Sequence, residues 1–134
     1  MNDEKARLDF RPDRFAAALM ALQDAVASDT GDKKSRDPIL LSFVFTFEMN
    51  LKALKTALAV LGETAPNYAA GAFKAAFTAG LVTDPDLWMD LREARNEVSH
   101  AYDLDKAIAI AALVSQRAVA AFQGLIEGLR HVEP

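Results

Sequence analysis

Asp37 to Gly62 reads DPILLSFVFTFEMNLKALKTALAVLG, and this stretch decides the fold. Leu40, Val44, Phe47, Leu51, Leu54, Leu58 and Leu61 recur every three or four residues, which is the spacing of one face of an α-helix. Asp37 followed by Pro38 is a helix-start signal: an acceptor at the cap, then a ring whose missing N–H is harmless in the first turn. Gly62 is the matching stop. The pattern predicts a helix of about 36 Å at the usual rise per residue. Glu48 and Lys52 interrupt its apolar run, so it reads as a core helix rather than a membrane span.

The segments on either side repeat the pattern. Phe15, Leu19, Leu22 and Val26 predict a first helix near residues 12–28. SDTGDKKSRD, Ser28 to Asp37, reads as a polar loop. Pro66 opens a shorter helix in which Phe73 and Phe77 pair at i, i+4, and Gly80 closes it. Asp84 and Pro85 repeat the start signal, and Leu87, Leu91, Ala94, Val98 and Ala101 form the next stripe. Asp103 caps the last helix, with Ile108, Ala112, Ser115, Val119, Phe122, Ile126 and Leu129 on one face. Connections are short and no strand alternation occurs. The expected fold is all-α: an up-and-down four-helix bundle with one extra short helix. Residues 1–134 form a single domain, with 1–10 a loosely ordered N-terminus.

Composition bounds the function. The chain has 134 residues, half of them apolar, enough to bury a real core. It has no cysteine, which excludes disulfides and thiolate metal sites. The charged start MNDEKARLDF has no apolar signal region, and the apolar runs are far shorter than a membrane span, so a cytoplasmic protein without membrane contact is expected. The formal net charge is −4. A general nucleic-acid binder is more often basic, so any RNA contact must be local.

One segment carries candidate chemistry. Trp88 to Tyr102 reads WMDLREARNEVSHAY, with Arg95 and His100 spaced as R-x4-H, Asn96 beside the Arg, and Tyr102 at H-x-Y. The chain's other histidine, His131, lies near the C-terminus. On an ideal helix Arg95, Tyr102, Trp88 and Ser99 fall on one shoulder of the apolar stripe, roughly 60–120° from its centre. Asn96 and His100 fall on the side away from the core and can touch at i, i+4. Arg95 meets His100 only through its long side chain or an irregular last turn. A pocket therefore needs something to cover that face, and a second subunit is the simplest cover.

Each residue also has a plainer reading. His100 can move protons near neutral pH, yet a surface His near a helix C-terminus is commoner. Arg95 can clamp a phosphate, or it can pair with an acid on its own or a neighbouring helix. Tyr102 can be a modification acceptor or an amphipathic rim residue. Trp88 reads as core packing. Glu48, flanking the stripe of the second helix, needs a partner, and an Arg from the fourth helix fits. No cluster has metal-ligand spacing and no Gly-rich phosphate loop is present, so neither metal nor cofactor is expected.

Taken in order, Phe43 to Glu48, Ala79 to Val82, Trp88, Arg95, Asn96, Ser99 to Tyr102 and Ala107 resemble the layout of one family. It is the nucleotidyltransferase substrate-binding proteins of the HEPN superfamily, and the resemblance runs from about Asp37 to the last helix. It implies a homodimeric bundle with R-x4-H motifs facing a shared cleft. It also implies metal-independent ribonuclease activity, and pairing with a separate minimal nucleotidyltransferase as toxin and antitoxin. Carried over, Arg95 and His100 are catalytic and Asn96 supports them, with Glu48, Ser99 and Trp88 around the site. Tyr102 is the residue to which the partner transfers AMP. Against RNA stand six acids between Asp84 and Asp103, facing only Arg92 and Arg95. Such a patch repels phosphate unless cations elsewhere offset it. The alternative is a non-catalytic substrate-binding subunit of a two-component nucleotidyltransferase.

Overall fold

The structure, a computed structural model, describes residues 12–132. Within them the chain is all-α, with four main helices and one short one: α1 Asp13–Ala27, α2 Lys33–Val60, α3 Ala69–Thr78, α4 Pro85–Glu97 and α5 Leu104–Leu129. The expectation for residues 1–10 lies outside the described residues. α1 and α2 form an antiparallel hairpin tied at mid-height, where the Thr46 hydroxyl donates to the Ala18 carbonyl over 3.1 Å. α4 and α5 form a second hairpin, whose ion pairs Asp90–Arg117 and Glu97–Lys106 step in opposite directions along the two helices.

One run of aromatic rings joins all five helices. Phe15 of α1 meets Phe122 of α5 edge-on at 5.7 Å, and Phe43 of α2 lies 6.2 Å from the same ring. Phe47 meets Phe73 of α3 at 5.8 Å, and Phe73 stacks on Trp88 of α4 at 5.4 Å. Trp88 returns to Phe122 at 5.9 Å. Such pairs contribute about 0.5–1.5 kcal/mol each beyond their burial. Trp88 is thus core packing, as its sequence context suggested.

α2 starts earlier than expected. Asp32, not Asp37, is the cap, accepting from the Ser35 N–H at 3.0 Å. Lys33 and Asp37 then pair across the first turn at 2.6 Å. Pro38 sits inside the helix, in its second turn, where it forgoes the bond to the Lys34 carbonyl. The helix has 28 residues and spans about 42 Å. Its buried face is also broader than the predicted stripe, because four other helices pack on it. Phe43, Thr46, Asn50 and Ala57 are buried, while Val44 and Leu51 are half-buried and Leu61 is exposed. Asn50 is fully buried, and among the described residues its amide nitrogen and oxygen take no hydrogen bond.

The stops fall where glycine predicted them. Gly62 adopts φ 80°, its N–H bonds the Ala59 carbonyl, and the Glu63 N–H reaches Leu58. Gly80 repeats this geometry with Phe77 and Ala76. These are left-handed caps that a side chain would strain. α3, however, starts at Ala69 rather than Pro66. Pro66 and Tyr68 instead fold back over Gly71, where a Cβ would lie 2.8 Å from both.

The last helix corrects two expectations. Its buried face runs through Ala107, Ala111, Val114 and Ala118 before reaching Phe122, Ile126 and Leu129, and Ile108 is exposed. The predicted stripe was one residue late in its first half, since alanines carry too little hydrophobic contrast to fix the phase. A π turn at Val114–Ala118 lies at the centre. By length and composition alone α5 is also enough to cross a membrane. Polar residues such as Ser115 and Arg117 break each apolar run, yet the alanines keep the average hydropathy high. Its large residues Phe122, Leu125, Ile126 and Leu129 are buried in the bundle.

Candidate functional site

α4 opens as the sequence requires: Asp84 accepts from the Leu87 N–H at 3.1 Å, and Pro85 takes the first position. It buries Trp88, Leu91 and Ala94, which fixes the direction of every other residue on it. The regular helix ends at Glu97, and Val98–His100 tighten into a 3-10 turn. The expected continuation through Ala101 and Tyr102 is corrected: both lie in the reversal to α5. Asp103 caps α5 by accepting from the Asp105 and Lys106 N–H groups, so the chain must turn within three residues of His100.

Arg95 leaves α4 toward α2. Its Nε donates to Glu48 Oε1 at 3.2 Å, with side chains 33% and 46% exposed. This is the Glu48–Arg pairing the sequence suggested, and it leaves the two terminal amino groups of Arg95 without a protein hydrogen bond among the described residues. His100 is exposed, as the helical wheel required. Its ring meets that of Tyr102 edge-on at 6.1 Å. Tyr102 is 87% exposed at the tip of the turn, not on a helix rim. Asn96 is exposed, and its carbonyl accepts from the Ser99 hydroxyl at 3.0 Å.

The structure therefore brings Glu48 to Arg95, His100 to Tyr102, and Ser99 to the Asn96 backbone. Among the described residues it draws no hydrogen bond between Arg95 and His100 or between Asn96 and His100. Trp88 lies beneath them in the core. Among the described residues no three His, Cys, Asp or Glu side chains gather as a metal site.

The charges of α4 are divided between its flanks, which the sequence count concealed. Asp90, Glu93 and Glu97 line a groove of about 240 Å³ against α5, floored by Ala94, Ala109, Ile110 and Leu113. Two of these acids are neutralised there: Asp90 by Arg117 at 3.0 Å and Glu97 by Lys106 at 3.2 Å. Asp84 and Asp103 are spent on helix caps. Arg95 points to the other flank, toward α2. Arg92, one turn before it, shares that flank, since residues three apart are neighbours on a helix. Lys52 lies one turn beyond Glu48 on α2. Sequence reasoning singled out neither residue as part of the site. The signal was present in the i, i+3 and i, i+4 spacings to Arg95 and Glu48. The six acids counted around Arg95 are thus divided: three line the groove against α5 and two cap helices.

Comparison with known proteins follows the same lines. A family model described as nucleotidyltransferase substrate binding protein like matches residues 10–131. A curated Haemophilus influenzae protein named "Probable ribonuclease HepT" is 34% identical over 76 residues, covering 54% of this chain and 52% of that protein. The chain thus spans about half the length of this curated relative. A crystal structure from Thermus thermophilus superposes with a TM-score of 0.81 at 23% identity, over 87% of this chain and 99% of that one. A Haemophilus influenzae structure, described as revealing the fold of a substrate binding domain of a nucleotidyltransferase, superposes with a TM-score of 0.80 at 23% identity, over 90% and 100%. At such identity the likeness establishes the fold.

Proposed function

The chain belongs to the nucleotidyltransferase substrate binding protein like family, and from that premise we propose that it is the binding subunit of a separate, small nucleotidyltransferase. The observation that carries this reading is the family match along almost the whole described bundle. A solved protein of the same fold is described in those terms. Tyr102 gives the partner something to act on: its hydroxyl stands in the open at the end of α4. In such a transfer the tyrosine oxygen attacks the α-phosphorus of ATP, pyrophosphate leaves, the phenolic proton is lost, and an AMP ester remains. Intact mass after incubation with the partner and ATP tests this step. The expected gain is one AMP, absent in Tyr102→Phe.

A second reading is favoured by the Arg95 geometry and by the name of the curated relative. Here the bundle is an endoribonuclease. Glu48 fixes Arg95 through Nε, and the remaining amino groups are left to hold two phosphate oxygens. The ribose 2′-oxygen attacks the adjacent phosphorus and the 5′-oxygen leaves, giving a 2′,3′-cyclic phosphate. His100 moves the proton, Arg95 stabilises the charge on the phosphoryl oxygens, and Asn96 steadies the imidazole or the phosphate. A homodimer supplies the cover. Leu41 and Phe45, 60% and 58% exposed, border Glu48 on α2 and give a second copy an apolar strip to bury.

One assay separates the readings. Protein unmodified at Tyr102 is incubated with total RNA, with and without chelator, beside Arg95→Ala and His100→Ala. Chelator-resistant cleavage lost in both variants selects the ribonuclease. Intact RNA leaves the non-catalytic subunit.

A further inference from the structure

The divided charge of α4 has a use. We propose that Arg92 and Lys52 extend the Arg95 site into a phosphate-contacting strip, along which a single-stranded RNA backbone lies across α4 and α2 on the flank away from α5. The inference rests on the reading that Arg95 meets RNA.

Three observations carry it. Arg92 and Lys52 are exposed, and neither makes an ion pair among the described residues, whereas Arg117, Lys106, Lys33 and Arg130 are each held by an acid. Each lies one helical turn from the Glu48–Arg95 pair, about 5–6 Å away between Cβ atoms. That is close to the spacing of successive phosphates in an extended strand. Finally, three of the four acids of α4, Asp90, Glu93 and Glu97, line the groove against α5, where Arg117 and Lys106 cancel two of them. A backbone on the Arg92 flank therefore meets cations first and the acids only across the width of the helix. Glu48, the carboxylate at the centre of the strip, is already engaged by Arg95. RNA rather than a protein partner fits a strip whose Arg92 and Lys52 side chains and terminal Arg95 amino groups are all cationic and without a bonded acid among the described residues.

The test uses the full chain carrying His100→Ala, so that bound RNA is not consumed. Anisotropy of a labelled 20-nucleotide single-stranded RNA is followed from about 50 to 200 mM salt. Removing one phosphate contact lowers the slope of log K against log salt by about 0.7, or about fivefold in affinity near 0.1 M salt. Arg92→Gln and Lys52→Gln should each show this change, and Arg117→Gln on the opposite flank should not. Unchanged melting temperatures establish that all three variants fold. RNA binding with slopes unaltered in Arg92→Gln and Lys52→Gln overturns the strip and leaves the RNA reading standing. No RNA binding by the parent protein, together with no cleavage by wild type, removes both. Intact RNA binding with weakened capture of the nucleotidyltransferase assigns the strip to the protein partner and overturns the proposal.

Discussion

Replacing Glu48 tests the arrangement around Arg95 most sharply, because in the ribonuclease reading a small effect on stability accompanies a large one on cleavage. The pair is a single Nε–Oε1 contact of 3.2 Å between side chains 33% and 46% exposed. At an effective dielectric near 20 the gross attraction at such a distance is about 5 kcal/mol, and in water about 1 kcal/mol. Solvent screening and side-chain ordering bring the net for partly exposed pairs below about 1 kcal/mol. Glu48→Ala should therefore lower the melting temperature by only a few degrees. The guanidinium, however, loses the bond that aims its free amino groups. Displacing a positioning group by about 1 Å can cost about 100-fold in rate. In the ribonuclease reading, cleavage by Glu48→Ala should thus fall about 100-fold. Glu48→Gln keeps an oxygen acceptor and should stay within about tenfold of wild type. Single-turnover cleavage of a labelled RNA, beside thermal melts, reads both quantities. Glu48→Ala cleaving as fast as wild type, or faster, would show that Glu48 restrains Arg95 rather than aiming it.

Other expectations concern the frame. Asn50 buries an amide whose nitrogen and oxygen have no partner among the described residues, so Asn50→Leu, branched at the same carbon, should stabilise the bundle by about 1–2 kcal/mol in urea titration. A loss of stability would show that the amide is satisfied. A Cβ at Gly124 meets nothing within 4 Å, so Gly124→Ala should add about 1 kcal/mol through helix propensity. Gly71→Ala should remove about 1–3 kcal/mol, because its Cβ falls 2.8 Å from Pro66 and Tyr68. Equal effects from the two alanines would contradict the packing described. The Ser35 hydroxyl and N–H, then the Thr30 hydroxyl, hold the Asp32 carboxyl below its ordinary pKa. Its contribution is therefore complete above the ordinary carboxylate range and is lost as pH falls through the lowered value. The stability gap between wild type and Asp32→Asn should narrow on acidification, and a gap independent of pH would exclude the effect.

Local signals are legible in this sequence, and tertiary ones are not. The stops at Gly62 and Gly80 and the caps at Asp84 and Asp103 depend on neighbours within a few residues, and each is present. The α2 start was misplaced because Pro38 mimics a first-turn proline, while the real cap at Asp32 lies in a stretch as polar as a loop. The phase of α5 was lost among alanines. Glu48–Arg95 was legible because a lone acid beside an apolar stripe demands a partner. The division of charge on α4 was not, since it depends on Arg117 and Lys106 returning along α5. A count along the chain summed charges that the fold separates.

The bundle is proposed to work as the binding subunit of a nucleotidyltransferase. Sedimentation velocity of the purified chain mixed with a separate small nucleotidyltransferase from the same organism tests that pairing. One faster-moving heteromeric species is expected at micromolar concentration. Two species, each sedimenting as it does alone across that range, would contradict it.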